Sequence, residues 1–176
     1  VSLYNETRGT AIWPTPAIGA LGILDNVGSS STIAFKDEGD IVVLIGSDTL
    51  DTDIGSLSGS EYLYLIHGQT RGTPSIDLEL EANVQNICRQ SIRDGIIKSA
   101  HDCSDGGLTV TLAESCIAGG IGLICDFKVS DRWDIAFFSE SQSRIIVSLS
   151  PENLESFEEL AFSMGVPFSI LGIVGG

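Results

Sequence analysis

Apolar and polar positions alternate in short blocks along this chain, and most blocks predict one element each. Residues 18–24 and 41–45 are apolar runs separated by the turn-rich residues 25–31 and by Lys36-Asp37-Glu38-Gly39-Asp40, so both are predicted strands. Residues 51–60 are rich in Gly, Ser and Asp and predict a loop leading into Glu61-Tyr62-Leu63-Tyr64. Over residues 78–93 the positions Leu80, Val84, Ile87, Cys88, Ser91 and Ile92 keep helical spacing. Asp77, Glu79 and Glu81 crowd the first turn, where carboxylates favour the helix dipole, and Gly95 supplies the stop.

Residues 96–102 read as a buried strand running straight into a second helix, marked by Leu108, Leu112, Cys116 and Ile117 and ended by Gly119-Gly120. Residues 121–127 and 143–149 are further predicted strands. The third helix has Ser150 as N-cap, Pro151 at its first position, and Leu154, Phe157, Leu160, Ala161 and Met164 on one face, with Gly165 after it. Residues 166–174 make a last strand. Helices and strands thus alternate from residue 75 onward, which predicts an α/β layered fold with a mixed β-sheet and packed helices. Residues 1–17 lack sustained periodicity and carry Pro14 and Pro16, so they predict an extended connecting arm, with residues 18–176 as the folded lobe. An opening at Val1 rather than methionine leads us to expect a piece of something longer.

Composition narrows the functional classes. With 43% hydrophobic and 19% charged residues the chain can bury a core, and its apolar runs fall far short of the roughly 20 residues that cross a bilayer, so no membrane partner is expected. Cys88, Cys103, Cys116 and Cys125 lack metal-ligand spacing and sit in apolar segments, which predicts buried free thiols in a cytoplasmic protein. The net charge of −15 disfavours nucleic acid as a partner. It also means that a bound phosphate would need backbone N–H groups or a metal bridged by carboxylates.

The segment His101-Asp102-Cys103-Ser104-Asp105-Gly106-Gly107-Leu108 lies where a strand meets a helix. Free N–H groups at a helix start attract phosphate oxygens, glycines let a ligand approach the backbone, and Asp102 could hold a divalent metal. The other reading is that Ser104 or Asp105 caps the helix and the glycines make a tight turn. His101 is either a donor beside that site or a structural group bonding the turn, and His67 has less claim. Val1-Ser2-Leu3-Tyr4-Asn5-Glu6, Gly59-Ser60-Glu61-Tyr62 and Ser139-Glu140-Ser141-Gln142-Ser143-Arg144 are each either ligand-facing or ordinary polar connections.

Taken in order, these four segments resemble the second half of the phosphoribosylformylglycinamidine synthase family, with its pattern Gly-Asn-Val-Ser-(Leu/Phe)-Tyr-Asn-Glu, Gly-Ser-Glu-Tyr, His-Asp-x-Ser-Asp-Gly-Gly-Leu and Glu-(Ser/Asn)-Gln-x-Arg. The form Ser2-Leu3-Tyr4-Asn5-Glu6 is similar to the small, multi-subunit type. The resemblance implies a carboxy-terminal α/β lobe of an ATP-dependent ligase that makes an amidine from formylglycinamide ribonucleotide and glutamine-derived ammonia. It implies Mg2+ and ATP/ADP as cofactors, and as partners the enzyme's other lobes, a glutaminase subunit and a small accessory subunit. By resemblance Ser2 contacts substrate, Asp102 binds magnesium, and Ser104, Gly106 and Gly107 bind nucleotide at an auxiliary site. No catalytic residue falls on this chain. Glu140, Ser141 and Gln142 correspond to substrate contacts in the first-half copy of the lobe. The alternatives are a sister such as aminoimidazole ribonucleotide synthetase or a hydrogenase-maturation factor, and a non-catalytic interaction lobe.

Overall fold

The computed structural model describes residues 6–12, 18–125, 129 and 132–176. In chain order its elements are β1 (Glu6–Thr7), β2 (Thr10–Ala11), β3 (Ile41–Ile45), α1 (Glu61–His67), α2 (Leu78–Arg93), β4 (Ser99–Asp102), α3 (Gly107–Gly119), β5 (Leu123–Cys125), α4 (Trp133–Phe138), β6 (Ile145–Leu149), α5 (Leu154–Met164) and β7 (Phe168–Val174). The first two strands form a separate exposed hairpin.

The other five strands form one sheet in the order β4-β6-β3-β7-β5, with β3 at its centre. All neighbours in it run antiparallel. Among the described residues its parallel component is a single bridge between Thr32 and Ser99. The uninterrupted apolar run of β3 reflects burial on both faces, because successive side chains point to opposite sides. Val43 and Ile45 join Val147 and Leu149 beneath Val84 and Ile87 of α2 and Phe157 and Ala161 of α5. Val42 and Leu44 join Ile146, Leu171 and Val174 against Leu108 and Leu112 of α3 and against Phe35. The expected α/β layered class is what the chain adopts.

Several local expectations change. Residues 18–24 form no strand: Ile18 is 90% exposed and Ile23 94%, and the chain first touches the sheet at Thr32, whose carbonyl accepts from the Ala100 N–H. An apolar run becomes a strand only with a partner edge and a surface to cover, and this one has neither. The loop expected over residues 51–60 does lead into an element, and that element is the helix α1, capped by the Ser60 hydroxyl accepting from the Leu63 N–H and closed by Gly68 in the left-handed conformation. Of the expected buried thiols, all free, Cys103 is buried, Cys88 and Cys116 are half-buried, and Cys125 is exposed because β5 is an edge strand.

Candidate functional site

Strand β4 ends at Asp102 and α3 begins five residues later, so the chain between them is pinned at both ends. Thr111 donates to the Asp102 carbonyl and the Cys103 N–H donates to the Arg144 carbonyl at 2.9 Å. This leaves Asp102, Ser104 and Asp105 exposed along one wall of a cleft of about 400 Å³. Residues 140 and 142–145 and the first turns of α2 form the rest, bringing Glu140, Gln142 and Arg144 opposite Asp102 and Ser104. Two of the motifs read from the sequence therefore meet in space. The start of α1 joins them through one hydrogen bond, from the Glu61 N–H to Glu140 Oε1 at 2.8 Å. Ser2 lies outside the described residues.

The start of α3 keeps the expected glycine turn but not the expected side-chain cap. Neither Ser104 nor Asp105 caps the helix; Gly106 holds the cap position with φ +81° and no side-chain cap of its own. Its N–H donates instead to Glu140 Oε1 at 2.8 Å, and the Gly107 N–H donates to the Ser104 carbonyl at 3.0 Å. Gly107 has φ +67°, and a Cβ there would stand 2.2 Å from the Ser139 carbonyl oxygen. Close backbone packing against the end of α4 thus accounts for this glycine within the chain itself.

The cleft is acidic. Glu81, Asp102, Asp105 and Glu140 line it, and its cation, Arg144, is buried with its guanidinium committed. That group donates to the carbonyls of Ser139 at 2.6 Å and Ser141 at 3.2 Å, and pairs with Asp51 at 3.1 Å. Asp51 also accepts from the hydroxyls of Ser139 and Ser141, and Glu81 accepts from Ser143 at 2.7 Å. Arg144 is too far engaged to counter the charge of an arriving phosphate. Among the described residues no three His, Cys, Asp or Glu side chains converge as a metal cluster. A magnesium ion that keeps several waters and uses one carboxylate plus ligand phosphates does not need one, and the Asp102 side chain, 73% exposed, suits that mode.

His101 belongs to the framework beside this cleft. Its Nε2 meets Glu114 of α3 at 2.8 Å, and its Nδ1 lies 3.6 Å from Asp102. His67 is exposed at the end of α1, edge-on to Tyr62. Burial pushes the Cys103 thiol up despite Arg144 nearby, which suits a packing residue rather than a nucleophile. Asp51 and Glu81 were not picked out as site residues from the sequence. Asp51 looked like one polar residue in a loop and Glu81 like a first-turn carboxylate, and no local pattern joins either to residues 139–144.

The sequence profile of the family described as AIR synthase related protein, C-terminal domain, matches residues 37–176. A protein of an Anaeromyxobacter species named phosphoribosylformylglycinamidine synthase subunit PurL is 44% identical over 187 residues, covering all of this chain and 24% of its own length. Its namesake from Moorella thermoacetica is 42% identical over 177 residues, again covering all of this chain and 24% of its own. The chain therefore spans about a quarter of the length of the curated relatives it matches. Among solved structures, Thermotoga maritima PurL complexed with FGAR superposes with a TM-score of 0.69 at 19% identity, over 84% of this chain and 26% of that one. Escherichia coli HypE, a hydrogenase maturation protein, superposes at 0.54 and 18% identity, over 82% and 46%. At such identities these structures establish the fold alone.

Proposed function

We propose that this chain, which belongs to the AIR synthase related protein, C-terminal domain family, is the carboxy-terminal lobe of a phosphoribosylformylglycinamidine synthase subunit. The observation that carries this reading is the match of the whole chain, at 44% identity, to a relative of that name. In the proposed reaction, ATP phosphorylates the carboxamide oxygen of the glycinamide unit of formylglycinamide ribonucleotide. Ammonia derived from glutamine then displaces the phosphate to give the amidine, and ADP and phosphate leave.

On this reading residues 1–17 are an arm from a preceding ATP-binding lobe and residues 18–176 are the lobe itself, with Ser2 reaching the substrate. Asp102 and Ser104 face a nucleotide phosphate in the cleft, with Gly106 and Gly107 setting the shape of its wall. Bound magnesium would supply the positive charge that the acidic walls lack. What this chain's residues contribute is the exposed Asp102 carboxylate, the exposed Ser104 hydroxyl and a rigid turn. The solved structure of PurLQS from Thermotoga maritima supports partner subunits, and we take these to be a glutaminase subunit and a small accessory subunit. A cytoplasmic setting accompanies such a pathway.

A second reading, an interaction lobe, draws on the apolar groove of about 500 Å³ where Tyr62, Leu65 and Ile66 of α1 face Val110, Trp133 and Phe138. Thermal melts separate the two readings, since a nucleotide at one hundred times its dissociation constant adds about 2.7 kcal/mol and a purely docking lobe gains nothing. The catalytic assignment is tested by steady-state turnover. The full-length protein should release ADP only with formylglycinamide ribonucleotide and ammonia both present, and the 176-residue chain alone should release none. ADP release independent of that ribonucleotide would overturn it.

A further inference from the structure

Glu140 lies where three parts of the site meet. Its Oε1 accepts the Gly106 N–H and the Glu61 N–H, each at 2.8 Å, from positions 34 and 79 residues away in sequence. These donors stand at the starts of α3 and α1, where a helix leaves N–H groups without internal partners and favours a negative charge. The turn carrying Glu140 is itself immobilised. Ser141 donates to Asp51 at 2.7 Å and Ser143 to Glu81 at 2.7 Å, while Arg144 holds the Ser139 and Ser141 carbonyls. Gly46 is pressed so close that a Cβ there would sit 1.8 Å from the Ser143 carbonyl oxygen. Held this firmly, the Glu140 carboxylate is a fixed strut between two helix starts rather than a side chain waiting for a ligand.

We propose that Glu140 is a positioning residue of the nucleotide site: its carboxylate takes the place of a ligand anion at the start of α3 and fixes the 102–107 turn against α1. A phosphate is left only the Asp102 and Ser104 side of the cleft. The strut stands on the hydrogen bonds alone, and the steering of phosphate rests on the nucleotide reading above. With the Gly106 and Gly107 N–H groups both taken within the chain, and with Glu140, Glu81 and Asp105 presenting negative charge, a diphosphate enters accompanied by a divalent cation.

The test compares wild type, Glu140→Gln and Glu140→Ala in the full-length protein that carries this lobe. Hydrogen exchange is followed by mass spectrometry in peptides covering residues 59–63 and 104–108, and ADP is titrated with and without magnesium. Glutamine keeps a carbonyl oxygen able to accept both N–H groups, so exchange in both peptides should stay within about twofold of wild type while metal-free ADP binds more tightly. Alanine removes the acceptor, so exchange should accelerate in both peptides together, by about tenfold or more, and magnesium-ADP should weaken.

Unchanged exchange in the alanine variant, acceleration in one peptide without the other, or failure of glutamine to preserve protection would overturn the strut. If the alanine variant does not fold, the glutamine variant decides by the same criterion. ADP binding absent from every protein, wild type included, would overturn the nucleotide reading and the steering with it. The exchange data would still judge the strut independently.

Discussion

At the scale of single residues, the fold depends on a few atoms with no alternative partner. Asp40 is only 2% exposed, one of its oxygens meets Lys98 Nζ at 2.6 Å, and its other oxygen is buried without a partner. Lys98 also reaches Asp37 at 2.8 Å, tying β4 to the loop that precedes β3. Replacing the lysine with an apolar side chain strands a buried carboxylate, so Lys98→Met should cost about 2–3 kcal/mol in chemical denaturation at pH 7. Hydrogen bonds first to Asp37 and then to Asp40 raise Lys98 above its ordinary value of 10.5. Its contribution is therefore complete below that value and is lost as pH climbs through the raised one. Wild type should lose this stability under strongly alkaline conditions, where Lys98→Met has none of it left to lose. Equal denaturation midpoints at pH 7 would show the pair to be idle.

Gly107 makes the same point about backbone. Its positive φ and its approach to the Ser139 carbonyl leave no room for a methyl group, so Gly107→Ala should lower stability by at least about 2 kcal/mol. In a chain of this size that corresponds to a fall of roughly 5 °C or more in Tm. A melt within a degree of wild type would show that the turn relaxes freely.

At the scale of elements, what the sequence discloses is what burial writes locally. β3 is legible because both its faces are covered, and α2 and α5 because each lays one apolar stripe on the same face of the sheet. Asp77, read from the sequence as a first-turn carboxylate, is the N-cap and accepts from the N–H groups of Glu79 and Leu80. α4 has six residues and no side-chain cap, too short for periodicity to register. α1 carried Ser60 and Gly68 as end signals, yet its exposed Tyr64, Leu65 and Ile66 break the two-sided pattern of a surface helix. The cleft was half legible for a related reason. Asp102 and Ser104 announce themselves within one short segment, whereas the bonds from Gly106 and Glu61 to Glu140, and from Ser143 to Glu81, join residues 34 to 79 apart. Side-chain chemistry was visible at every one of those positions; the fold alone decides which of them meet.

At the scale of the whole molecule, the lobe has a complete interior and an incomplete exterior. Two apolar clusters cover both faces of the sheet, and no helix among the described residues is long and apolar enough to cross a membrane. Meanwhile Ile18, Leu21 and Ile23 lie exposed on one stretch of chain, as do Leu65, Ile66 and Trp133 around one groove. Surface of this kind suits burial against other lobes of a longer polypeptide, in keeping with relatives about four times the length of this chain.

If, as proposed, this lobe holds a nucleotide through magnesium at Asp102, both should be recoverable from the denatured protein. Wild-type and Asp102→Asn forms of the full-length protein are purified and denatured, and the released ADP and magnesium are quantified. Wild type should release both, and the variant, still folded and with near-normal affinity for formylglycinamide ribonucleotide, should release neither. A variant retaining the full complement of both, or a wild type that releases no nucleotide, would contradict it and leave Asp102 as a turn residue.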